Sequence, residues 1–488
     1  MWTKPIQFSK VELILFSIAV LWKSIFFQWL YGLPFQKLSL FAFEGNGDSN
    51  SYIIPAIISF SKLEWSRLPG YSVLLKVLNI IFGESYYLNV AIILQVFYSL
   101  LTALMIISIG QKVFSRKIGF IAGLIFFCLP ITNYYEVRIL TEVYTTFFIA
   151  LSFYISIYIN DRVKPVHFFL LGLILCTVFT FRPVSLLIAP FVLFILFYKN
   201  KFKGIVKNLG LYMLPLVLFE VFWISFNYKR FNEFILIAKS PLYQSYSESF
   251  HTYGLYLCGT VACETKEDWL TKMDVGPYKF KLYPFGEAQI GPFHSLSDAF
   301  TSEFNKATIQ KLAYDLKNCR YCNSSNFADT LSLDQINQEI EKRNLLIERA
   351  ETMRGSVIRE HPFIVLESRL KPILLFFSHD LTGTPLVWSN DYFEDRSGYD
   401  NLMKHIYNWG FSLLIILGLP GLIITFLRTA PVYKAFFMAG LGLTFVYPLV
   451  FGLPEWRYIY SALPFLCLGV SYLIVGFLDL LKWGGKIT

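Results

Sequence analysis

Charge is scarce in this chain of 488 residues: 16% are Asp, Glu, Lys or Arg, against 55% hydrophobic residues. A soluble globular domain carries about 25% charged residues, so the shortage excludes an ordinary water-soluble fold. No glycine-rich loop joins a strand pattern to a helix pattern, which removes the common nucleotide-cradling architectures. Of the six histidines, His251, His294, His361, His379 and His405 fall in one polar stretch, and none stands at ligand spacing from another His or a Cys. Neither a metal nor another cofactor is therefore expected. The net charge of +9 is carried by short basic clusters between apolar runs, a topology signal and not a nucleic-acid surface. No nucleic-acid partner is expected.

What fills the chain instead is a series of apolar runs of membrane-crossing length. Val11 to Leu30 is the first, preceded by Lys4 and Lys10 and followed by no small-residue cleavage site, and it reads as an anchoring helix. Further spans are read at 86–109, 118–133, 142–159, 166–181, 184–198, 209–227, 407–427, 435–452 and 458–481. The piece 72–82 is too short to cross and reads as an interfacial or re-entrant helix. Glu220 stands out as an ionisable residue deep in a span, expected to point into the bundle and pair with a hydroxyl or a base. The fold class expected is an all-α polytopic membrane protein with about ten transmembrane helices.

Basic residues set the orientation. With the N-terminus inside, fifteen Lys and Arg fall in inner segments, against Arg138, Arg182 and Arg457 in the three short outer hairpins. Both termini are then cytoplasmic. The expected division is an N-terminal membrane module, 1–227, whose first outer loop is 32–85; an outer, mainly helical segment, 228–406; and C-terminal membrane helices, 407–488. Within the outer segment, Ser332-Leu333-Asp334-Gln335 reads as a capping box opening a helix that His361-Pro362 ends. Residues 363–377 read as a helix along the membrane surface. Cys258, Cys263, Cys319 and Cys322 all lie outside, fitting two disulfides or a four-thiolate zinc site, whereas Cys128, Cys176 and Cys467 fall in spans as packing residues.

Two constellations carry chemistry. The first outer loop holds Glu44 and Asp48 in a Gly/Asn-rich turn, followed by Tyr52 and by Arg67-Leu68-Pro69-Gly70-Tyr71. Carboxylates at the lipid–water boundary are tuned by burial and neighbouring charge. The second constellation is Arg138, Arg182 and Arg457, each at an outer turn. Guanidinium groups bind phosphate through paired charge-assisted hydrogen bonds, although basic residues at span ends also snorkel to headgroups.

Taken in order, Asp48-Ser49-Asn50-Ser51-Tyr52, Arg67-Leu68-Pro69-Gly70-Tyr71, Leu140-Thr141-Glu142, Arg182-Pro183 and Arg457-Tyr458 resemble the membrane-embedded GT-C glycosyltransferases. The likeness is to the branch of protein O-mannosyltransferases and lipid A aminoarabinose transferases. It spans about residues 10–200 and 400–481, with a looser match around Arg359 to Leu370. Many relatives carry Asp-Glu in the first loop, whereas Ser49 follows Asp48 here. The resemblance implies transfer of a sugar from a polyprenyl-phosphate donor to a hydroxyl of a lipid, polysaccharide or protein acceptor on the outer face of a membrane. It further implies the bacterial inner membrane and its lipids as the setting. Asp48 would be the general base, with Glu44 in support. Arg138, Arg182 and Arg457 would hold the donor phosphate, and Tyr52, Arg67, Glu142 and Tyr458 would contact substrate. A transporter or flippase of a lipid-linked saccharide is the reading from another class, and an inactive scaffold is a third.

Nucleotide sugars are cytoplasmic, so an outward-facing site needs a lipid-carried donor. A cysteine replacing Asn46 should therefore react with a membrane-impermeant thiol reagent from outside, and one replacing Lys203 only after permeabilisation. The reverse pattern removes the case for a lipid donor.

Overall fold

Proline and glycine punctuate the helices of the computed structural model, which describes residues 9–31, 47–57, 68–159, 163–199, 204–231, 397–451 and 459–484, with scattered positions at 234–237 and between 301 and 363. Among the described residues there is no strand. In chain order the helices are α1 (Lys10–Tyr31), α2 (Gly47–Ile57), α3 (Gly70–Phe82), α4 (Tyr87–Val113), α5 (Arg116–Cys128), α6 (Pro130–Glu136), α7 (Glu142–Ile159), α8 (Pro165–Phe181), α9 (Ala189–Lys199), α10 (Ile205–Phe231), α11 (Ser397–Arg428), α12 (Pro431–Phe451) and α13 (Leu463–Gly484). Short 3₁₀ segments, Pro183–Ile188 and Tyr460–Ala462, lead into α9 and α13.

Tyr87–Val113, Glu142–Ile159, Ile205–Lys229 and Tyr460–Leu480 are long and apolar enough to cross a membrane, which makes this an integral membrane protein by composition. Five shorter apolar helices, among them Gly70–Phe82 and Pro165–Phe181, fall where other apolar runs were read. The expected span 118–133 is broken. Pro130 forces Leu129 into an extended conformation (ψ 127°), so α5 stops and α6 starts afresh. Likewise Pro183 holds Arg182 extended (ψ 102°) and ends α8. The expected span 184–198 opens as a 3₁₀ segment for the same reason. Apolar side chains on α10, including Leu218 (59%) and Phe222 (62%), stay exposed, as a lipid-facing surface allows.

Small residues let helices approach closely. A Cβ on Gly110 would strike Gly119 and Leu468, and one on Gly123 would strike Ile107, which packs α4 antiparallel against α5 with α13 alongside. Gly172 of α8 lies on the Tyr212 carbonyl of α10. Gly421 of α11 lies on the backbone of Gly469 in α13. Aromatic contacts reinforce these seams: Phe153 of α7 meets Phe436 at 5.1 Å and Phe465 at 5.5 Å, and Phe114 meets Tyr472 at 5.3 Å.

By internal contacts the chain forms two units, Met1–Ala238 with Pro385–Phe445 and Glu455–Thr488, and Lys239–Thr384 with Val446–Pro454. Within the second, Ser302 donates from its amide and hydroxyl to Glu360 at 2.8 and 2.7 Å. Pro362 and Phe363 are helical, so helical conformation does not end at His361-Pro362 as expected. The capping box, the four outer cysteines and most of 363–377 lie outside the described residues.

The glycine seam gives a direct test. Gly421→Val should lower stability by ~1–3 kcal/mol, the usual cost of overpacking, measured by denaturant unfolding in detergent. Gly476→Val, where a Cβ meets nothing within 4 Å, should cost far less.

Candidate functional site

At the end of the bundle where α7 begins and α8 ends, the sequence supplies an acid and a base. Glu142 is the first residue of α7 and Arg182 follows the last residue of α8, so each sits where the helix dipole favours its charge. Arg182 Nη2 donates to Glu142 Oε1 at 3.2 Å, with the two side chains 11% and 3% exposed. The second carboxylate oxygen, Glu142 Oε2, is buried with no hydrogen-bond partner among the described residues. Two residues read separately, one as a phosphate ligand and one as a helix-opening substrate contact, are therefore a single ion pair.

A ladder of rings connects this pair to the first loop. Tyr52 of α2 is buried and meets Tyr71 of α3 edge-on at 5.2 Å. Tyr71 contacts Tyr144 at 5.4 Å and Phe181 at 5.9 Å, and Tyr144 stacks on Phe181 at 5.6 Å. Tyr144 lies two residues beyond Glu142, and Phe181 precedes Arg182. Within the stretch expected to be a Gly/Asn-rich turn, the described part from Gly47 onward is the opening of α2, which contains Asp48 in its first turn. Asp, Ser and Asn favour helix starts because their side chains compete for nearby backbone groups in the interior but cap at the end. The Asp48 side chain, and all of Glu44, Arg67, Arg457 and Tyr458, lie outside the described residues.

Arg138 is half-buried in the turn that joins α6 to α7. That turn is fastened by two groups the sequence reading passed over. Gln95 of α4 donates from Nε2 to the carbonyls of Glu136 at 2.7 Å and Arg138 at 2.8 Å, and its Oε1 accepts from the Tyr71 hydroxyl at 2.8 Å. Lys23 of α1, 3% exposed, pairs with Glu136 at 2.5 Å and lies 4.0 Å from the centre of the Phe127 ring. Glu220 is thus not alone as an ionisable group within a span. A lysine inside the first apolar run was the available signal, since an unpaired ammonium at that depth is costly and demands a partner. Glu220 itself is half-buried, and its Oε2 has no hydrogen-bond partner among the described residues.

Further buried polar groups lie within electrostatic range of Glu142. Ser99, Glu136 and Tyr460 converge, and the Tyr460 hydroxyl lies within electrostatic reach of both Glu136 and Glu142. Tyr135 and Tyr460 meet edge-on at 5.0 Å. Among the described residues no three His, Cys, Asp or Glu side chains gather in a metal-binding group. Chemically the arrangement offers two buried carboxylates and their cations, with two arginines at one end of the helices.

No protein-family model matches the chain, and no curated protein does. Among solved structures, the crystal structure of ArnT from Cupriavidus metallidurans bound to undecaprenyl phosphate is similar with a TM-score of 0.35 and 9% sequence identity, over 94% of this chain and 77% of that one.

Removing one partner of a buried pair strands the other. Arg182→Met should cost ~3–5 kcal/mol by isolating the Glu142 carboxylate. Adding Glu142→Gln should recover much of the loss, since an amide carries no charge to desolvate. Chemical unfolding of the wild type, single variant and double variant measures both.

Proposed function

We propose that this chain is a GT-C-type glycosyltransferase that moves a sugar from a polyprenyl-phosphate donor to an acceptor hydroxyl at the outer face of a membrane. The observation that carries the reading is the ring ladder Tyr52–Tyr71–Tyr144–Phe181, which ties the helix containing Asp48 to the Glu142–Arg182 pair. A base and a phosphate-binding group must be held in fixed register for a displacement, and rigid aromatic contacts hold it well.

In the proposed step Asp48 takes the acceptor's O–H proton as that oxygen bonds to the anomeric carbon. The bond from that carbon to the phosphate oxygen breaks, and its electron pair leaves with the polyprenyl phosphate. A single displacement inverts the anomeric centre. Arg138, Arg182 and Arg457 offset the charge on the departing phosphate. A guanidinium carries five N–H donors, so the bond from Arg182 to Glu142 uses part of its capacity. Glu44 supports the base, and Tyr52, Arg67, Glu142 and Tyr458 line the substrates' approach. The same reading includes ten spans with both termini inside a bacterial inner membrane, and a lipid, polysaccharide or protein acceptor.

One observation bears on the rival transporter reading: Lys23 is a charged group inside the first helix. Transport paths line water-filled cavities with such groups. Lys23 and Glu136 are instead sealed, at 3% and 0% exposure, and bonded to each other. That favours a scaffold role for the pair and leaves the chemistry to the end of the bundle.

Asp48→Asn should preserve the fold and donor binding while lowering transfer ~10²–10⁴-fold, the ordinary contribution of a positioned general base. Asn keeps the shape of Asp and still meets a hydroxyl, but cannot take its proton. Glu44→Gln should cost less. The assay is purified protein in liposomes with labelled polyprenyl-phosphate sugar. Near-normal turnover in both variants moves the catalytic centre away from the first loop, and sugar movement without transfer establishes a flippase.

A further inference from the structure

We propose that Gln95 is a positioning residue that holds the Arg138 turn and the Asp48 helix in register; this rests on the glycosyltransferase reading. Gln95 is fully buried in the middle of an apolar helix. A primary amide there is costly unless every donor and acceptor is met. Here both ends are used. Nε2 spans two carbonyls of the turn, Glu136 and Arg138, at 2.7 and 2.8 Å, with the Tyr135 carbonyl at 3.5 Å. Oε1 accepts from the Tyr71 hydroxyl at 2.8 Å.

Each end leads to one half of the proposed site. Arg138 Cα belongs to the peptide unit whose carbonyl Nε2 grips, so the amide sets where the guanidinium stem leaves the backbone. Tyr71, fixed by its hydroxyl, presents its ring to Tyr52, and Tyr52 stands four residues, one helical turn, beyond Asp48 on α2. A leucine or methionine would satisfy the packing of an apolar helix at this place. The structure spends a polar group instead, and every bond it makes runs toward α3 or the α6–α7 turn. Lys23 holds the Glu136 carboxylate, whereas Gln95 holds the backbone carbonyls on either side of Val137.

The test compares wild type with Gln95→Met, which keeps length and volume but loses every hydrogen bond, and with Tyr71→Phe, which keeps the ring and loses only the hydroxyl. In liposomes with labelled polyprenyl-phosphate sugar, Gln95→Met should lower kcat about 10²-fold, the scale of an ångström-sized misplacement of reacting groups, with donor KM changed less than about threefold. Tyr71→Phe should show a smaller fall of the same kind. A second readout does not depend on turnover: Arg138→Cys, placed in wild-type and Gln95→Met backgrounds, is timed against an impermeant thiol reagent. The rate should rise at least about tenfold when Gln95 is lost. Unchanged kcat in folded Gln95→Met, or an unchanged thiol rate, overturns the assignment. Absence of transfer by the wild type counts against the glycosyltransferase reading, and the thiol rate then still decides whether Gln95 holds the turn.

Discussion

The bond between Lys23 and Glu136 is the constraint on which the end of the bundle holding the candidate site depends. Both groups are almost fully buried, so each has lost its hydration, and that loss is offset only by a short contact with good geometry. Because Lys23 lies in the second half of α1 and Glu136 closes α6, the pair fixes the body of the first helix to the last residue of α6 before the Arg138 turn. A second ion contact, Arg116 with Glu12, fastens α5 to α1 nearer its beginning. With α1 held twice, the break at Pro130 becomes a defined bend and not a loose joint.

From that bend the organisation runs outward by contact. Gln95 grips the turn from the side of α4, and Tyr71 passes the constraint to Tyr52, Tyr144 and Phe181. Glycines set the helix separations that make such contacts possible, with Gly110 on Gly119 and Gly421 on Gly469. Close backbone approach contributes dispersion and weak polar contacts where lipid supplies no hydrophobic drive between helices. Charge pairing at the ends and glycine packing along the lengths are therefore complementary means of ordering a bundle whose exposed faces are apolar.

Much of the helical pattern was legible because long apolar runs report themselves by composition. Tyr87–Val113 and Glu142–Ile159 follow the expected 86–109 and 142–159 closely. The break at Leu129-Pro130 was less visible, since both residues are apolar and the interruption is conformational. Asp48, Arg138, Glu142 and Arg182 were legible as polar residues at the ends of apolar runs. That Glu142 and Arg182 bond to each other was not, because forty residues separate them and pairing depends on how α7 and α8 dock. Gln95 gave no signal: a single amide in an apolar helix has no spacing rule, and its partners are set by tertiary packing.

The contact of α13 with the N-terminal helices has a consequence for biogenesis. Gly110 and Tyr135 find Leu468 and Tyr460, partners that leave the ribosome roughly 350 residues later, a delay of about 20–70 s at ordinary synthesis rates. During that interval Ser99 and Glu136 face a gap that lipid tails cannot hydrate. The first half of the chain must therefore wait in the membrane as an incomplete intermediate, a state that an insertion chaperone or a transient polar companion is suited to shield.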